Sequence, residues 1–314
     1  MFTVSPYKPI FKQLWDEFVA ASRNATFILY RDYMDYHADR ITDASLIIRD
    51  EKGEAVALFA ASSHGEEIRA HGGLTYGGLI LPYDISAPSV LEIFDNVIKY
   101  YQNLGYKSMI YKPIPHIYHC YPCEEDIYAL FRHNCVLSEC NLSTVISLDN
   151  PIPFNTNSKR NLAKGEKAEI AVKEMDNFAD YWEILSEMLR ARHNAEPVHS
   201  LEEIMRLKST FPESIRLFVA EENSKPIAGV VIYVTERVAH CQYIASSPRG
   251  FETGALPVLF NYLIDYFANN THLEYFDFGT SNDNHGLILN EGLIRQKYGF
   301  GGRGIAYPIY RIAL

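Results

Sequence analysis

The stretch VAHCQYIASSPRGFETGALPVLFNYLIDYF, residues 238–267, decides the fold. Its first residues predict a β-strand, and the spacing of apolar residues after Ala255 predicts a long helix. The short turn between them holds Arg249, Gly250 and Gly254. Unpaired amide hydrogens at a helix N-terminus attract anions, and glycines let a ligand approach the main chain closely. The turn therefore predicts a diphosphate site, and its alternative interpretation is an ordinary strand–helix connection.

The two halves of the chain follow one plan. Residues 45–148 are predicted to run strand, strand, strand, helix, strand, helix, strand, and residues 168–312 repeat this series after an initial helix. Strands that alternate with helices of this length predict mixed sheets covered by helices. A length of 314 residues suits two hydrophobic cores. We expect an α/β (α+β, mixed-sheet) protein with domains at residues 1–150 and 151–314.

Charge and composition exclude several classes of protein. The formal net charge of −10 argues against general nucleic-acid binding, although a local basic patch for an RNA-linked substrate remains open. The first residues lack the apolar core of a secretory signal, and no window approaches the ~18 apolar residues of a membrane span. An odd number of cysteines, five, favours reduced thiols. We expect a cytoplasmic monomer or homodimer.

A possible zinc site lies in the first half. His116, His119, Cys120 and Cys123 have spacings that zinc could use. Three prolines constrain this segment, and paired CxxC knuckles are absent from the sequence. The preferred interpretation is a proline-rich loop whose thiols pack as small hydrophobic groups. No metal is expected.

The junction between the halves is basic. Residues 149–167 contain Arg160 and Lys164, which one helical face would carry together. One interpretation is a solvated linker and helix. The other is a segment that meets an anionic group of a substrate or cofactor, because arginine and lysine suit phosphate.

Two histidines lie in or next to a polar loop in the second half. His193 ends a predicted amphipathic helix over 177–193, and the loop NAEPVHS, residues 194–200, carries His199. Ser200 and Glu203 then have the spacing of a capping box, which predicts that another helix starts there.

Polar residues also crowd behind the aromatic strand predicted at residues 274–279. Asp277 lies within this strand, and Ser281 and Asn282 follow its end. Loops at strand ends are where α/β folds place many polar site residues, although a hydrophilic turn is an equal alternative. Lys297 comes next, directly before an aromatic segment that we expect to begin a strand.

These segments resemble a known family. The strand, turn and helix of 238–267 and the final N-x₆-K-Y-G-F-G segment, with Asn290 and Lys297–Gly301, resemble the GNAT-like half of FemAB-type acyl- and aminoacyltransferases. The junction SKRNLAKG at 158–165 is similar to the basic segment before the second domain of that group. The likeness spans most of the chain. It implies two tandem GNAT-like (acyl-CoA N-acyltransferase) domains with a cleft at their interface, and an acyl-donor site in the second domain only.

The resemblance also implies a reaction. An acyl or aminoacyl group would pass from a CoA or tRNA carrier to an amine on a small molecule or cell-wall precursor. Acetyl-CoA or another acyl-CoA is the expected donor, and aminoacyl-tRNA is the alternative. A base must take the proton of the attacking amine, and a main-chain N–H near residues 243–245 would stabilise the oxyanion.

Candidate residues follow for each role. The expected bases are Asp277, His199 and His193, in that order, and Tyr243 or Ser281 would return a proton to the leaving group. The expected cofactor-binding residues are Ala245, Arg249, Gly250, Gly254 and Ala255. The expected substrate-binding residues are Arg160, His193, Asn282, Asn290 and Lys297.

The turn departs from the family pattern at one position. GNAT proteins usually show Q/R-x-x-G-x-G/A, whereas Glu252 replaces the middle glycine here. A carboxylate at this position would repel a diphosphate. The departure favours a second hypothesis, a catalytically degenerate GNAT-like module that binds a nucleotide-linked or peptide ligand.

Overall fold

The computed structural model describes residues 2–314, except for the side chains of His37 and His193. It divides into two compact units. The first unit extends to Asn141 and includes Ala306–Leu314, and the second is Leu142–Ile305. The sequence-based division into residues 1–150 and 151–314 thus differs at both ends of the second domain, because the last strand hydrogen-bonds to a strand of the first unit.

The first unit contains two groups of hydrogen-bonded strands and four helices. Strands β1, β3, β4 and β7 form one antiparallel sheet, in the order β1-β3-β4-β7. Strands β2, β5, β6 and β8 form a second ladder, in which only β6 and β8 run parallel. The elements are β1 Thr3–Pro6, α1 Lys12–Ala21, α2 Arg31–Met34, β2 Thr42–Asp43, β3 Leu46–Arg49, β4 Ala55–Ala60, β5 Ser62–His64, β6 Glu67–Arg69, β7 Gly78–Ile80, α3 Ala87–Asn103, β8 Ser108–Tyr111, α4 Glu125–Arg132 and the first part of β9 Val136–Ser147.

Helix α3 forms the centre of the first core. Ser86 caps its N-terminus by accepting a hydrogen bond from the amide of Ser89. Its predicted apolar stripe is buried together with residues of β3, β4 and β8. The stripe consists of Val90, Ile93, Phe94, Val97 and Tyr101.

The second unit is built on one mixed sheet in the order β10-β11-β12-β13-β14-β9. Its neighbouring strands are antiparallel except β13 and β14, which are parallel. The elements are the remainder of β9, α5 Thr156–Lys167, β10 Ala171–Met175, α6 Ala179–His193, α7 Leu201–Thr210, β11 Ile215–Glu222, β12 Lys225–Val234, β13 Val238–Ser246, α8 Pro248–Thr253, α9 Ala255–Asn270, β14 Tyr275–Thr280, β15 Asn282–Asp283, β16 Ile288–Leu289, α10 Glu291–Gly299 and β17 Arg303–Ala313, whose end belongs to the first unit.

Helices cover both faces of this sheet. The apolar side of α9 is buried against one face, in a core that contains Phe260, Phe276 and Phe278. Helix α6 lies against β12 and β13 and buries Tyr181 and Trp182. Because neighbouring residues of a strand face opposite sides, this arrangement decides which side chains of β13 and β14 point away from α9.

Two segments differ from their predicted structure. The turn before Ala255 is a short helix, α8, and Gly254 separates it from α9 in a left-handed conformation (φ 80°). Lys297 lies within helix α10 rather than before a strand. The capping box at Ser200 and Glu203 is confirmed, since both of its hydrogen bonds are present.

The cysteine- and histidine-rich loop of the first unit is packed. His119 Nε2 lies 2.8 Å from the carbonyl oxygen of Ile114, and burial raises the pKa of Cys123 to about 12. Within the part of the chain that the structure describes, no group of three or more His, Cys, Asp or Glu residues is arranged to hold a metal ion. Among the same residues, no helix has both the length and the apolar character needed to cross a membrane.

Candidate active site

Strands β13 and β14 separate within the second unit. They pair only where Val238–His240 faces Tyr275–Asp277, although β13 continues to Ser246. On its other side, β13 carries an extra residue, because Tyr243 and Cys241 pair with consecutive residues of β12 and leave Gln242 as a bulge. Bulges bend a strand and increase its twist. The result is an opening between two parallel strands that starts at His240 and Asp277.

Asp277 lies at the start of this opening and is completely buried. Its carboxylate accepts hydrogen bonds from Ser143 Oγ (2.5 Å), from the amide of Gly279 (2.8 Å) and from His240 Nδ1 (2.8 Å). Burial alone raises the pKa of Asp277, but the charge of His240 and these hydrogen bonds lower it overall. A buried carboxylate with filled acceptor sites is a poor proton acceptor, so the geometry does not favour the predicted role of Asp277 as the base.

His240 was absent from the sequence-based candidates. Ala239 and Cys241 face the α9 core, as do Phe276 and Phe278, so His240 and Asp277 share the opposite face. Donation from Nδ1 to Asp277 assigns the lone pair of the neutral ring to Nε2. One signal in the sequence could have found His240. It lies between two apolar residues, Ala239 and Cys241, of a predicted strand, and the neighbouring strand β14 contains a single carboxylate, Asp277.

Lys297 holds the carboxyl end of β14. Its Nζ donates to the carbonyl oxygens of Gly279 (2.8 Å) and Thr280 (2.9 Å), and the residue is buried. Burial lowers its pKa to about 8, although Asp277 and Cys241 act in the opposite direction. Lys297 therefore carries a charge at the edge of the opening, while substrate binding by this residue stays a prediction.

Two other predicted catalytic residues are in contact. Tyr243 Oη lies 2.6 Å from His199 Nδ1 and accepts a hydrogen bond from the His199 amide at 3.3 Å. The hydroxyl and the ring nitrogen thus share one hydrogen bond, whose direction depends on the tautomer of His199. Trp182 contacts the Tyr243 ring edge-on, with ring centroids 5.3 Å apart. This contact with α6 puts Tyr243 on the same face of the sheet as His240.

The predicted diphosphate turn is closely packed by its own chain. A Cβ atom at Gly250 would lie 2.5 Å from the carbonyl oxygen of Ile227, and one at Gly254 would lie 2.4 Å from that of Asn161. Helix α5 comes so near because Gly165 also lacks a side chain there. Close packing therefore explains why both positions are glycine, without any need for a ligand. This agrees with the alternative interpretation of the turn as an ordinary strand–helix connection.

The other predicted cofactor-binding residues are also engaged. Arg249 donates to both carboxylate oxygens of Glu222, at 2.8 and 2.7 Å, and lies 3.5 Å from Glu252. Ala245 and Ala255 are buried. Acidic groups thus surround the one arginine that was expected to meet a diphosphate.

The predicted substrate-binding residues are dispersed. Asn282 accepts a hydrogen bond from the amide of Leu142 at 2.6 Å, and Asn290 caps α10 by accepting one from Leu293. Both side chains are therefore engaged in hydrogen bonds with main-chain amides. Arg160 is exposed on α5, and the side chain of His193 lies outside the described residues.

Ser281 is the remaining predicted catalytic residue. It is buried at the end of β14, and its amide donates to the carbonyl oxygen of Leu142. Its hydroxyl has no hydrogen-bond partner among the described residues. The structure thus brings Asp277, Ser281 and Lys297 together at one end of β14 and adds His240 to them.

Known proteins share parts of this sequence and this fold. Residues 154–285 match the acetyltransferase (GNAT) domain family. The chain has the tandem GNAT fold of FemAB-type proteins. FemX is similar over 99% of this chain and 97% of its own, with 10% identity and a TM-score of 0.70. No curated protein matches the sequence.

Two further solved structures share the tandem GNAT fold. L-PGS from Bacillus licheniformis has 11% identity and a TM-score of 0.64, and the match covers 97% of this chain and 91% of that one. A tandem GNAT protein from the clavulanic acid biosynthesis pathway has 8% identity and a TM-score of 0.56, with coverage of 100% and 98%. The resemblance and the fold class predicted from the sequence are confirmed.

Proposed function

We propose that the second unit transfers an acyl or aminoacyl group from a carrier to an amine, at the opening between β13 and β14. The observation that carries this proposal is the early end of their pairing, because main-chain groups of β13 beyond His240 then face the opening instead of a neighbouring strand. An N–H in this stretch would stabilise the oxyanion that forms at the carbonyl carbon. The match of residues 154–285 to GNAT acetyltransferase domains supports the same reaction.

The acceptor that we propose is an amine on a small molecule or a cell-wall precursor. A neutral amine can attack a carbonyl, whereas a protonated amine cannot, so the site must hold a proton acceptor. His240, on the α6 face of β13, and His199, beside Tyr243, meet this need better than Asp277 does. Tyr243, hydrogen-bonded to His199, would then donate a hydrogen bond to the leaving group.

The carrier follows from the charges around the turn. Packing of Gly250 and Gly254 and the pairing of Arg249 with Glu222 disfavour a CoA diphosphate at the turn. Helix α5, which packs against this turn, exposes a row of cations to solvent: Lys159, Arg160, Lys164 and Lys167. We therefore favour the aminoacyl-tRNA donor over acyl-CoA, with the basic face of α5 in contact with phosphates.

A binding experiment separates the donors. The full chain is titrated with acetyl-CoA, a longer acyl-CoA and aminoacyl-tRNA while thermal unfolding is recorded. A ligand at ~100 times its dissociation constant stabilises a protein by about 2.7 kcal/mol. We expect this shift with aminoacyl-tRNA, followed by transfer of the labelled aminoacyl group to a panel of amines. Binding without transfer to any amine would favour the degenerate binding module instead.

Charge reversal on α5 provides the matched test. Lys164→Glu should weaken binding of aminoacyl-tRNA several-fold and reduce its dependence on salt concentration, because each phosphate contact contributes to that dependence. Lys52→Glu makes the same charge change on an exposed turn of the first unit and should have little effect. Equal losses in both variants would rule out α5 as the contact.

A further inference from the structure

We propose that His240 takes the proton from the attacking amine, and that Asp277 is the positioning residue that orients its ring. This inference deepens the proposed function and rests on it. Neither residue needs to move, since His240 already lies where β13 and β14 separate. Its side chain is 15% exposed, whereas that of Asp277 is completely buried.

Space beside the imidazole ring supports access to it. Gly279 faces His240 across the opening, with φ of 75°. A Cβ atom at Gly279 would lie 3.5 Å from His240 Cε1 and 3.9 Å from the carbonyl oxygen of Cys241, with no other atom within 4 Å. Cε1 lies between the two ring nitrogens, so the absence of a side chain at Gly279 leaves room beside the ring edge that includes Nε2.

The charge of Asp277 suits a histidine that gains a proton. Ser143 and the Gly279 amide hold the carboxylate in place, and its pKa is lowered, so it stays negative. A fixed negative charge at 2.8 Å from Nδ1 stabilises the imidazolium that forms when Nε2 accepts a proton. Burial strengthens this interaction because the surrounding protein polarises less than water does.

The other titratable groups around the opening suit this role less well. Lys297 is held by two carbonyl oxygens and is mainly an ammonium ion below its pKa of about 8. His199 is buried, and its Nδ1 is already engaged with the Tyr243 hydroxyl at 2.6 Å. Burial raises the pKa of the Cys241 thiol. His240 alone in this set combines partial exposure with a carboxylate on its far nitrogen.

His240 gains one proton and then returns it in the proposed reaction. The amine nitrogen forms a bond to the carbonyl carbon, and its proton passes to His240 Nε2. The C=O electron pair moves to oxygen, where a main-chain N–H of β13 stabilises it. The pair returns as the bond to the carrier oxygen or sulfur breaks, and that atom takes the proton back from the imidazolium. The products are an amide and the protonated carrier, and His240 is neutral again.

His240→Asn is the decisive variant, because the asparagine side-chain NH₂ replaces Nδ1 as donor to Asp277 but offers no base at the Nε2 position. Removal of a general base typically costs 10²–10⁴-fold in rate, so we expect kcat for aminoacyl transfer to fall by about this factor while KM changes little. His272→Asn, in the exposed loop after α9, is the control and should keep wild-type transfer.

A second measurement does not depend on activity. Long-range ¹H–¹⁵N NMR of the wild-type imidazoles should show His240 as the Nδ1–H tautomer, and Asp277→Asn should perturb this signal. The Nε2–H tautomer in the wild type would overturn the inference. Wild-type-like transfer by His240→Asn would also overturn it and would leave the proposed function standing. Absence of transfer by the wild type itself would remove both.

Discussion

Each unit contains two strands, at equivalent positions in its order of elements, that separate from one another. Different side chains lie in the two openings. In the first unit, β7 and β8 belong to separate ladders, and Tyr111 of β8 reaches across to β7. Its hydroxyl accepts a hydrogen bond from the Leu79 amide (3.1 Å) and donates one to Asp126 (2.8 Å). In the second unit, the opening between β13 and β14 holds His240 and Asp277 instead.

The two units repeat the same order of elements, but they do not repeat the side chains in the opening. A Cβ atom at Gly78 would lie 2.5 Å from the ring of Tyr111, so this ring fills the space beside β7. The Leu79 amide of β7 is already hydrogen-bonded to Tyr111. In the second unit, Gly279 places no side chain beside the ring of His240. The two openings thus differ in the side chains that lie in them.

The largest expected effect comes from removing the tyrosine that closes the first opening. Tyr111→Ala deletes a completely buried aromatic ring and its two hydrogen bonds, so the free energy of unfolding of the first unit should fall by about 3–5 kcal/mol. Urea denaturation measures it. Tyr128→Ala, which truncates a half-exposed ring in the same unit, should change stability much less. Equal effects would mean that Tyr111 does not close the opening.

Asp126, the partner of Tyr111, should make stability depend on pH. Burial raises its pKa from 3.8 to about 6, against the effect of its hydrogen bonds. A raised carboxyl pKa stabilises the fold fully below pH 4, and this contribution is lost as pH rises through about 6. The loss amounts to about 3 kcal/mol at 1.36 kcal/mol per pKa unit.

The variant Asp126→Asn tests this pH dependence. Asparagine cannot ionise, so the decline in unfolding free energy between pH 4 and pH 7 should become smaller than in the wild type. Asp84→Asn, on an exposed loop, serves as control and should leave the decline unchanged. A wild-type decline in Asp126→Asn would show that another group causes it.

The smallest expected effect separates packing from ligand binding at the turn of the second unit. Gly254→Ala places a Cβ atom against the Asn161 carbonyl in a left-handed conformation, so it should destabilise the second unit by about 1–3 kcal/mol without any ligand present. Gly53 has φ of 85° and no atom within 4 Å of such a Cβ, so Gly53→Ala reports the conformational cost alone. Identical losses would show that α5 does not press on Gly254.

Local pattern predicted most elements but not their exact roles. Helix α3 follows from its apolar stripe, and α7 begins at Ser200 because a capping box depends on residues three apart. The turn at 247–254 was harder, because a serine N-cap and glycine suit both a ligand loop and a short helix. The need for glycine at position 254 becomes clear only from the close approach of Asn161 in α5.

The amino-acid order by itself determined the alternating strands and helices, their apolar faces and the repeated plan, because these depend on residues close together in the chain. Only the tertiary structure decided that His240 meets Asp277, 37 residues later, and that Ser143 holds the same carboxylate. It also decided that Tyr111 closes one opening and that the final strand joins the first unit. These outcomes depend on strand register and on burial, which distant segments set together when they pack.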